Sequence, residues 1–247
     1  MADQDTGEND PQRERSKREV RAERILDAAA TLVQRWGYNK TTIDDIAKQA
    51  GVAKGTIYLH WKTRESLFIA LLTREYLITV EEFMQSLLDN PENVTLHELT
   101  KRALLLSMSR PLIKAMLLGD TDMLGELVRR ENADPNSVTE RRVAFGLYYI
   151  ELLRSKGLVR TDISACEQMH ALAAIATGFM VADRFLPDEY KVPLEKSAEL
   201  LAETIRRTFE PSDPLSPEKM QEAHTLFTQH FGQLIGAIKE RMQKESE

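Results

Sequence analysis

Apolar residues recur every three or four positions along most of the chain, which is the spacing of amphipathic helices. The first such run begins near Arg15 and stops at Gly37, a residue type that commonly follows the end of a helix. A short polar link leads to Thr42, a natural N-cap, and to a second run from Ile43 to Ala50. The apolar face of the first run consists of Ile25, Ala28, Ala29, Leu32, Val33 and Trp36.

The remainder of the chain also has helical periodicity, with few strand signals. Breaks are predicted at Asn90-Pro91, at Asp134-Pro135-Asn136 and at Pro187, where proline or clustered turn residues interrupt the pattern. We therefore expect an all-α fold. The predicted helices are Leu67–Leu88, Leu96–Ser109, one beginning at Pro111, Val138–Lys156, Ser164–Phe185, Pro193–Phe209 and Glu218 to about Lys244.

The charges are distributed unevenly along the chain. The net charge is -6, yet residues 11–64 carry twelve Lys and Arg against six Asp and Glu, a local net of +6. Residues 1–10 carry four acids, and the part beyond residue 64 has a net charge of -8. A short basic module on an acidic body favours a protein that binds a polyanion through one surface.

Several other chemistries are disfavoured by the sequence. The single cysteine, Cys166, permits no internal disulfide, which fits a reducing cytoplasm. Cys166 and His170 form an i, i+4 pair, but two ligands are too few for a closed zinc site. No phosphate-binding loop, nucleophile elbow or His-Glu-x-x-His pair occurs, and no stretch approaches the roughly 20 apolar residues of a membrane span. We expect a cytoplasmic protein that is not an enzyme and uses no metal or cofactor.

The most informative stretch is Thr42–Leu67, with the sequence TIDDIAKQAGVAKGTIYLHWKTRESL. It predicts a short helix, a tight turn at Gly51 and a second short helix from about Lys54 to His60. Val52 and Ile57 can pack back against the first of these helices. The second helix is too short to be a core helix and suits the major groove of DNA. Its exposed face would present Lys54, Thr56, Tyr58 and His60.

The stretch from about Arg21 to Leu72 resembles the DNA-binding domain of the TetR family of bacterial regulators. The resemblance implies a homodimer whose two recognition helices enter successive major grooves of double-stranded operator DNA, about 34–36 Å apart or a multiple of that. The matching residues are Ala28-Ala29, Gly37-Tyr38, Thr41-Thr42, Asp45-Ile46-Ala47, Ala50-Gly51-Val52, Lys54-Gly55-Thr56-Ile57-Tyr58, Trp61, Lys62 and Glu65 to Leu67.

The resemblance also implies roles for individual residues. The start of the recognition helix would reach base edges and phosphates, while Tyr58 and Lys62 would contact the DNA backbone. Thr42 would cap its helix and approach a phosphate. The implied DNA-contacting set is Thr42, Lys54, Gly55, Thr56, Tyr58, His60 and Lys62.

The recognition helix departs from the family pattern. Ala53 stands where Ser is frequent, so a capping hydroxyl is missing. Leu59 and His60 stand where many members have His and Tyr, and Trp61 replaces a Phe. Leu59 contacts a thymine methyl or simply packs. His60 faces either DNA or solvent.

Two further features have alternative interpretations. Tyr58 is a phosphate contact or a half-buried core residue. The basic segment from Arg13 to Arg24 also carries Glu14, Glu19 and Glu23. That segment is either the solvated start of a salt-bridged helix or an N-terminal arm that touches DNA.

The body is rich in Leu, Met and Ala, a composition that suits either a plain helical core or an adaptable site for a hydrophobic or amphipathic effector. By family resemblance, Val138–Lys156 and Ser164–Phe185 would form the dimer interface as a four-helix bundle. The final helix carries one apolar stripe and should dock on the body or on a partner subunit. The candidate effector residues are Met108, Met116, Met123, Tyr148, Tyr149 and His170.

These observations predict four segments. Residues 1–14 form a disordered acidic tail, and residues 15–66 form the helix-turn-helix DNA-binding domain. Residues 67–210 form a helical effector-binding and dimerisation domain, and residues 211–247 form a linker and an additional C-terminal amphipathic helix. The functional hypothesis is a repressor that a small hydrophobic or amphipathic effector releases from its operator. The alternative is a constitutive architectural DNA-binding protein without an effector.

Overall fold

The computed structural model describes residues 11–88, 90–127 and 138–245, and these contain helices but no strand. The N-terminal helices are α1 (Pro11–Trp36), α2 (Ile43–Ala50), α3 (Lys54–His60) and α4 (Arg64–Leu88). They are followed by α5 (Leu96–Ser109), α6 (Pro111–Leu117), α7 (Thr121–Leu124), α8 (Val138–Ser155), α9 (Ala165–Val181), α10 (Leu194–Phe209) and α11 (Pro217–Glu245). Short 3₁₀ turns occupy Pro91–Val94, Ala182–Arg184 and Asp188–Tyr190.

Most predicted helices lie within a few residues of their observed bounds, but several limits differ. Residues 1–10 of the predicted tail lie outside the described residues, whereas residues 11–14 belong to α1. The fourth helix starts at Arg64 rather than Leu67, because Thr63 Oγ1 accepts a hydrogen bond from the Ser66 amide at 3.0 Å and caps it earlier. The predicted helix Ser164–Phe185 ends at Val181 and continues as a 3₁₀ turn.

The first hydrophobic core joins the helix-turn-helix unit to part of the body. The inner faces of α1, α2 and α3 meet the first half of α4, through residues such as Ile46, Ile57 and Phe68. Leu112 of α6 and Leu124 of α7 close the same cluster. This core therefore extends past the domain boundary predicted at residues 66 and 67.

The second hydrophobic core occupies the rest of the body. The second half of α4 packs there with α5, α8, α10 and the start of α11, around the fully buried Tyr149 and Phe227. The buried Glu210, which follows α10, accepts a 3.0 Å hydrogen bond from the His97 amide at the start of α5. The same carboxylate contacts the His97 ring at 2.8 Å, so the end of α10 is fastened to the start of α5.

Helix α4 is the mechanical link between the two cores, because its 25 residues span about 37 Å at 1.5 Å per residue. Arg74, near its middle, is almost fully buried and makes ion pairs with Glu23 at 3.0 Å and Asp27 at 2.8 Å. These pairs fasten α4 to α1. No helix in the described ranges is both long and apolar enough to cross a lipid bilayer.

Candidate nucleic-acid interface

Helix α2 is a well-capped support. The hydroxyl of Thr42 accepts a hydrogen bond from the Asp45 amide at 3.2 Å, and the Asp45 carboxylate accepts one from the Thr42 amide at the same distance. The Thr42 hydroxyl also donates to the Asp45 carboxylate, and this bond, followed by the one from the Thr42 amide, holds the pKa of Asp45 below its usual value. Gly51 ends the helix with a φ of 63°. The side chains of Ile43, Ile46, Ala47 and Ala50 are all buried.

Helix α3 has fewer stabilising contacts than α2. Its N-cap residue, Ala53, offers no side-chain hydrogen bond, as the sequence predicted. Ile57 is the buried residue of the helix and anchors it against the first core at 0% exposure. The 100° turn per residue places one set of side chains on the side opposite Ile57. This set consists of Gly55, Tyr58 and Leu59; together with the exposed Lys62, which follows just beyond the end of α3, it is here called the outer face.

The outer face is open to solvent at each of its four residues. Tyr58 is 44% exposed and Leu59 is 74% exposed, so Leu59 does not pack within the chain. A Cβ atom built on Gly55 would meet nothing within 4 Å. Two of the predicted DNA-contacting residues, Gly55 and Tyr58, therefore share one side of α3 with Leu59, and a third, Lys62, is exposed just beyond the helix.

Two predicted contacts are engaged by neighbouring side chains. The Lys54 ammonium donates to Asp44 at 2.8 Å, and this hydrogen bond raises the pKa of Lys54. The Thr42 hydroxyl donates to the Asp45 carboxylate at 2.6 Å. Both side chains would have to exchange these partners to bind a phosphate. Thr56 is half-buried on the flank of α3.

His60 lies at the end of α3 beside the basic start of α1. Its ring is half-buried next to Trp61, with the ring centroids 5.3 Å apart. Burial lowers the pKa of His60, and the positive charges of Arg18 and Arg21 lower it further. Arg18 and Arg21 are exposed, so the basic residues of α1 and the end of α3 border the same surface. Sequence reasoning left this segment between two interpretations and did not single out these two arginines.

A second set of contacts, missed by the sequence analysis, joins the helix-turn-helix unit to the body. The Tyr38 amide donates to the Met123 carbonyl at 2.7 Å. A Cβ atom built on Gly37 would lie 2.7 Å from the Asp122 carbonyl oxygen, so two backbones touch there. The Arg64 guanidinium lies 3.8 Å from the Tyr38 ring centroid and donates to the carbonyls of Tyr38 and Thr41. We call this set the seam, consisting of Gly37, Tyr38, Thr41, Arg64, Asp122 and Met123.

The predicted effector residues do not form one site, because the structure distributes them over separate regions. Met116 and Met123 pack against the first core, close to the helix-turn-helix unit. Met108 packs against the second core. The three methionines therefore lie in two separate regions of the described structure.

The polar candidates of the effector set are also separated. Tyr149 is buried in the second core, and its hydroxyl donates to the Val94 carbonyl. Burial raises the pKa of Tyr149, and the charge of Glu210 raises it further. Tyr148 and His170 are exposed. Tyr149 is thus a structural residue, and its adjacency to Tyr148 in the sequence does not bring the two side chains together.

The pair Cys166 and His170 lies at the start of α9, where both residues are exposed. Within the described part of the chain, no group of three or more His, Cys, Asp or Glu side chains is arranged to hold a metal ion.

This N-terminal region is similar to known proteins. Residues 25–71 match the family model described as bacterial regulatory proteins, tetR family. The chain is 49% identical over 47 residues to the fatty acid metabolism regulator protein of Bacillus subtilis, covering 19% of this chain and 24% of that protein. It is 42% identical over 53 residues to the transcriptional regulator QacR of Staphylococcus aureus, covering 22% and 28% of the two chains. The matched segments thus span about a quarter of the length of these relatives.

The fold of the whole chain also has counterparts among solved structures. A crystal structure of FadR from Bacillus subtilis in complex with stearoyl-CoA superposes with a TM-score of 0.56 at 19% identity. The match covers 74% of this chain and 96% of that one. At this level of identity the likeness concerns the fold alone. The helix-turn-helix domain at residues 25–71 thus matches that of the tetR family of bacterial regulatory proteins, and the all-helical architecture is similar to that of FadR.

Proposed function

We propose that this chain is a sequence-specific DNA-binding transcriptional regulator, acting as a homodimeric repressor that a small hydrophobic or amphipathic effector releases from double-stranded operator DNA. The observation that carries the proposal is the outer face. A helix of seven residues, anchored by Ile57, presents a glycine, a tyrosine and a leucine to solvent, and the exposed Lys62 follows it. These side chains serve no packing role that would explain their presentation, and their dimensions suit the major groove.

Electrostatics support the same surface. The local net charge of +6 over residues 11–64 contrasts with the acidic body. Arg18 and Arg21 extend the basic surface from the end of α3 along α1. We propose that these arginines contact phosphates beside the groove that α3 enters. Such contacts add affinity and salt dependence without adding sequence preference.

A homodimer is supported by an apolar surface on α9 and α10. A shallow groove of about 340 Å³ runs along α9, bordered by Ala174, Gly178 and Phe179 and by Thr204 of α10. Phe185, just beyond α9, is 80% exposed, and Leu200 of α10 is 45% exposed. Large apolar side chains around a groove of small residues favour close packing of a second copy.

This surface modifies the interface that the sequence predicted. Helix α9 lies within the predicted range Ser164–Phe185. Helix α8, from the predicted range Val138–Lys156, turns Tyr149, Leu152 and Leu153 into the second core. We therefore propose that α9 and α10 supply the four helices of the dimer interface.

Release by an effector is supported by the way the two cores are connected. The solved structure with stearoyl-CoA shows that one protein of this fold holds an amphipathic ligand. In this chain, α4 runs through both cores, and the seam fixes α1 and α2 to the segment around α7. We propose that an effector in the body favours a dimer shape whose recognition helices no longer match successive grooves. The free energy of DNA binding that is lost can then be no larger than the difference in effector-binding free energy between the two dimer shapes.

In vitro selection from random double-stranded DNA tests the DNA-binding proposal. We expect enrichment of a two-fold symmetric sequence with half-sites one helical turn or a multiple apart. Failure to enrich any sequence, together with binding that does not weaken between 50 and 200 mM salt, would contradict the proposal, since phosphate contacts lose affinity steeply in that range.

The effector proposal has a separate test with the selected DNA. A panel of fatty acids, acyl-CoA thioesters and hydrophobic cations is screened for compounds that raise the melting temperature and reduce DNA binding. A ligand that binds the folded protein at 100 times its Kd should stabilise it by about 2.7 kcal/mol. Full DNA binding across the panel, with no compound raising the melting temperature, would favour the constitutive alternative.

A further inference from the structure

Leu59 is a large apolar residue on the outer face, and packing among the described residues does not explain its exposure. Its side chain is 74% exposed, whereas Ile57, two residues earlier, is completely buried. A single exposed leucine on a protein surface is ordinary and by itself indicates nothing. Leu59 is distinguished by its position on the side of α3 opposite Ile57, beside Gly55.

Gly55 keeps the space beside Leu59 open. The two residues are four positions apart, so they lie on the same side of α3 one turn from each other. The φ angle of Gly55 is not positive, and a Cβ atom built on it would meet nothing within 4 Å. Neither backbone conformation nor packing within the described residues therefore requires glycine here, although glycine destabilises a helix relative to alanine. A missing side chain at this point lets another molecule approach the helix backbone closely.

The chemistry of an isobutyl group defines what it can read in the major groove. Thymine is the base that carries a methyl group on the major-groove edge, and the other edges there present hydrogen-bond donors and acceptors. Leu59 has no donor or acceptor, so placing it against those groups would leave them unpaired. Contact with the thymine methyl removes apolar surface from water on both sides.

We propose that Leu59 is a specificity-determining residue that reads the 5-methyl group of a thymine in each operator half-site. The inference rests on the proposed function, because it requires that α3 enters the major groove. Gly55 contributes by allowing the close approach, and Tyr58 and Lys62 hold the DNA backbone on either side of the contact. Burial of one methyl group corresponds to about a fourfold change in affinity.

A thermodynamic cycle between protein and DNA tests this inference. Each thymine of the selected operator is replaced in turn by deoxyuracil, which pairs identically but lacks the methyl group. The Kd is measured by fluorescence anisotropy for the wild-type chain and for Leu59→Ala and Leu59→Met. The melting temperature of each variant controls for folding and should be unchanged, because the Leu59 side chain is exposed.

We expect one thymine per half-site whose replacement weakens wild-type binding about fourfold. The same replacement should have little effect on Leu59→Ala, which has lost the partner of the methyl group, while Leu59→Met should retain most of the discrimination. Equal effects of every replacement on wild type and Leu59→Ala, on an operator that both bind, would overturn the inference alone. Absence of any selected operator would overturn the proposed function and this inference with it.

Discussion

The helix-turn-helix unit has two surfaces that differ in how far their groups find partners within the chain. At the seam, the Tyr38 amide, the carbonyls of Tyr38 and Thr41 and the Arg64 guanidinium all have partners within the chain. At the outer face, Gly55 and Leu59 have open space around them. The seam is fitted to the body, and the outer face is left for another molecule. The difference separates residues that maintain the fold from residues available for function.

Two glycines, one in the seam and one outside it, allow the seam to be tested without changing the outer face. Gly37 combines a φ of 78° with a Cβ position 2.7 Å from the Asp122 oxygen. Gly51 has a φ of 63° but nothing within 4 Å, so it is a matched control for the backbone effect alone. We expect Gly37→Ala to reduce the free energy of unfolding by roughly 2–4 kcal/mol, from backbone strain and from the clash.

Gly51→Ala should cost only about 1–2 kcal/mol, because strain acts there without a clash. Urea denaturation of the two variants and the wild type measures the difference. Equal losses for both glycines would mean that the contact between Gly37 and Asp122 contributes nothing to stability.

Lys62→Ala tests the outer face directly. Loss of one phosphate contact should weaken operator binding about fivefold and reduce the slope of log K against log salt by about one unit. Tyr58→Phe should weaken binding to the majority of DNA sequences, because it removes one hydrogen bond. Lys219→Ala, an exposed lysine of α11 on the body, is the control and should change neither quantity. An unchanged slope for Lys62→Ala would remove its phosphate role.

Gly55→Ala sharpens the comparison, because stability and binding should move in opposite directions. Alanine is preferred over glycine in a helix by about 0.5–1 kcal/mol, and its methyl group enters open space in the free protein. The variant should therefore melt at a higher temperature than wild type and bind the operator more weakly. Stronger binding together with higher stability would show that no molecule approaches the backbone at Gly55.

The smallest expected effect is a dependence on pH at His60. Its pKa lies below the usual 6.5 in the folded chain, because of burial and the charges of Arg18 and Arg21. The unfolded chain therefore takes up this proton at higher pH than the folded chain does. Stability is complete above about pH 7 and falls as the pH is lowered through 6.5 toward the folded-state pKa.

The loss should be small, because the ring is partly screened by solvent. Urea denaturation at pH 7.5 and pH 5.5 should show this loss in the wild type and less of it in His60→Gln. An identical pH dependence in both proteins would assign the effect to other groups.

Most of the fold could be predicted from the sequence, because amphipathic helices carry a periodic signal in every turn. The bounds of α2, α3 and α5 were predicted to the residue, and Ala53 was correctly predicted to leave α3 without a side-chain cap. The predicted recognition helix is the observed α3, and its predicted exposed residue Tyr58 is indeed exposed.

The seam could not be predicted, for a physical reason. The bond between the Tyr38 amide and the Met123 carbonyl joins backbone atoms 85 positions apart, and any residue pair could make it. The engagement of Lys54 by Asp44 depends on the angle between two helices. The separation of the effector candidates has a similar reason, since Tyr148 and Tyr149 are adjacent in sequence but one is exposed and the other is buried.

The central claim is that the outer face binds DNA while serving no role in folding. It is tested most directly by the operator affinity of one chain that carries Tyr58→Ala, Leu59→Ala and Lys62→Ala together, measured beside its melting temperature. The account predicts a loss of affinity on the order of 50-fold, if the three contributions add, with a nearly unchanged melting temperature. Operator binding as tight as that of the wild-type chain, at the same melting temperature, would contradict it.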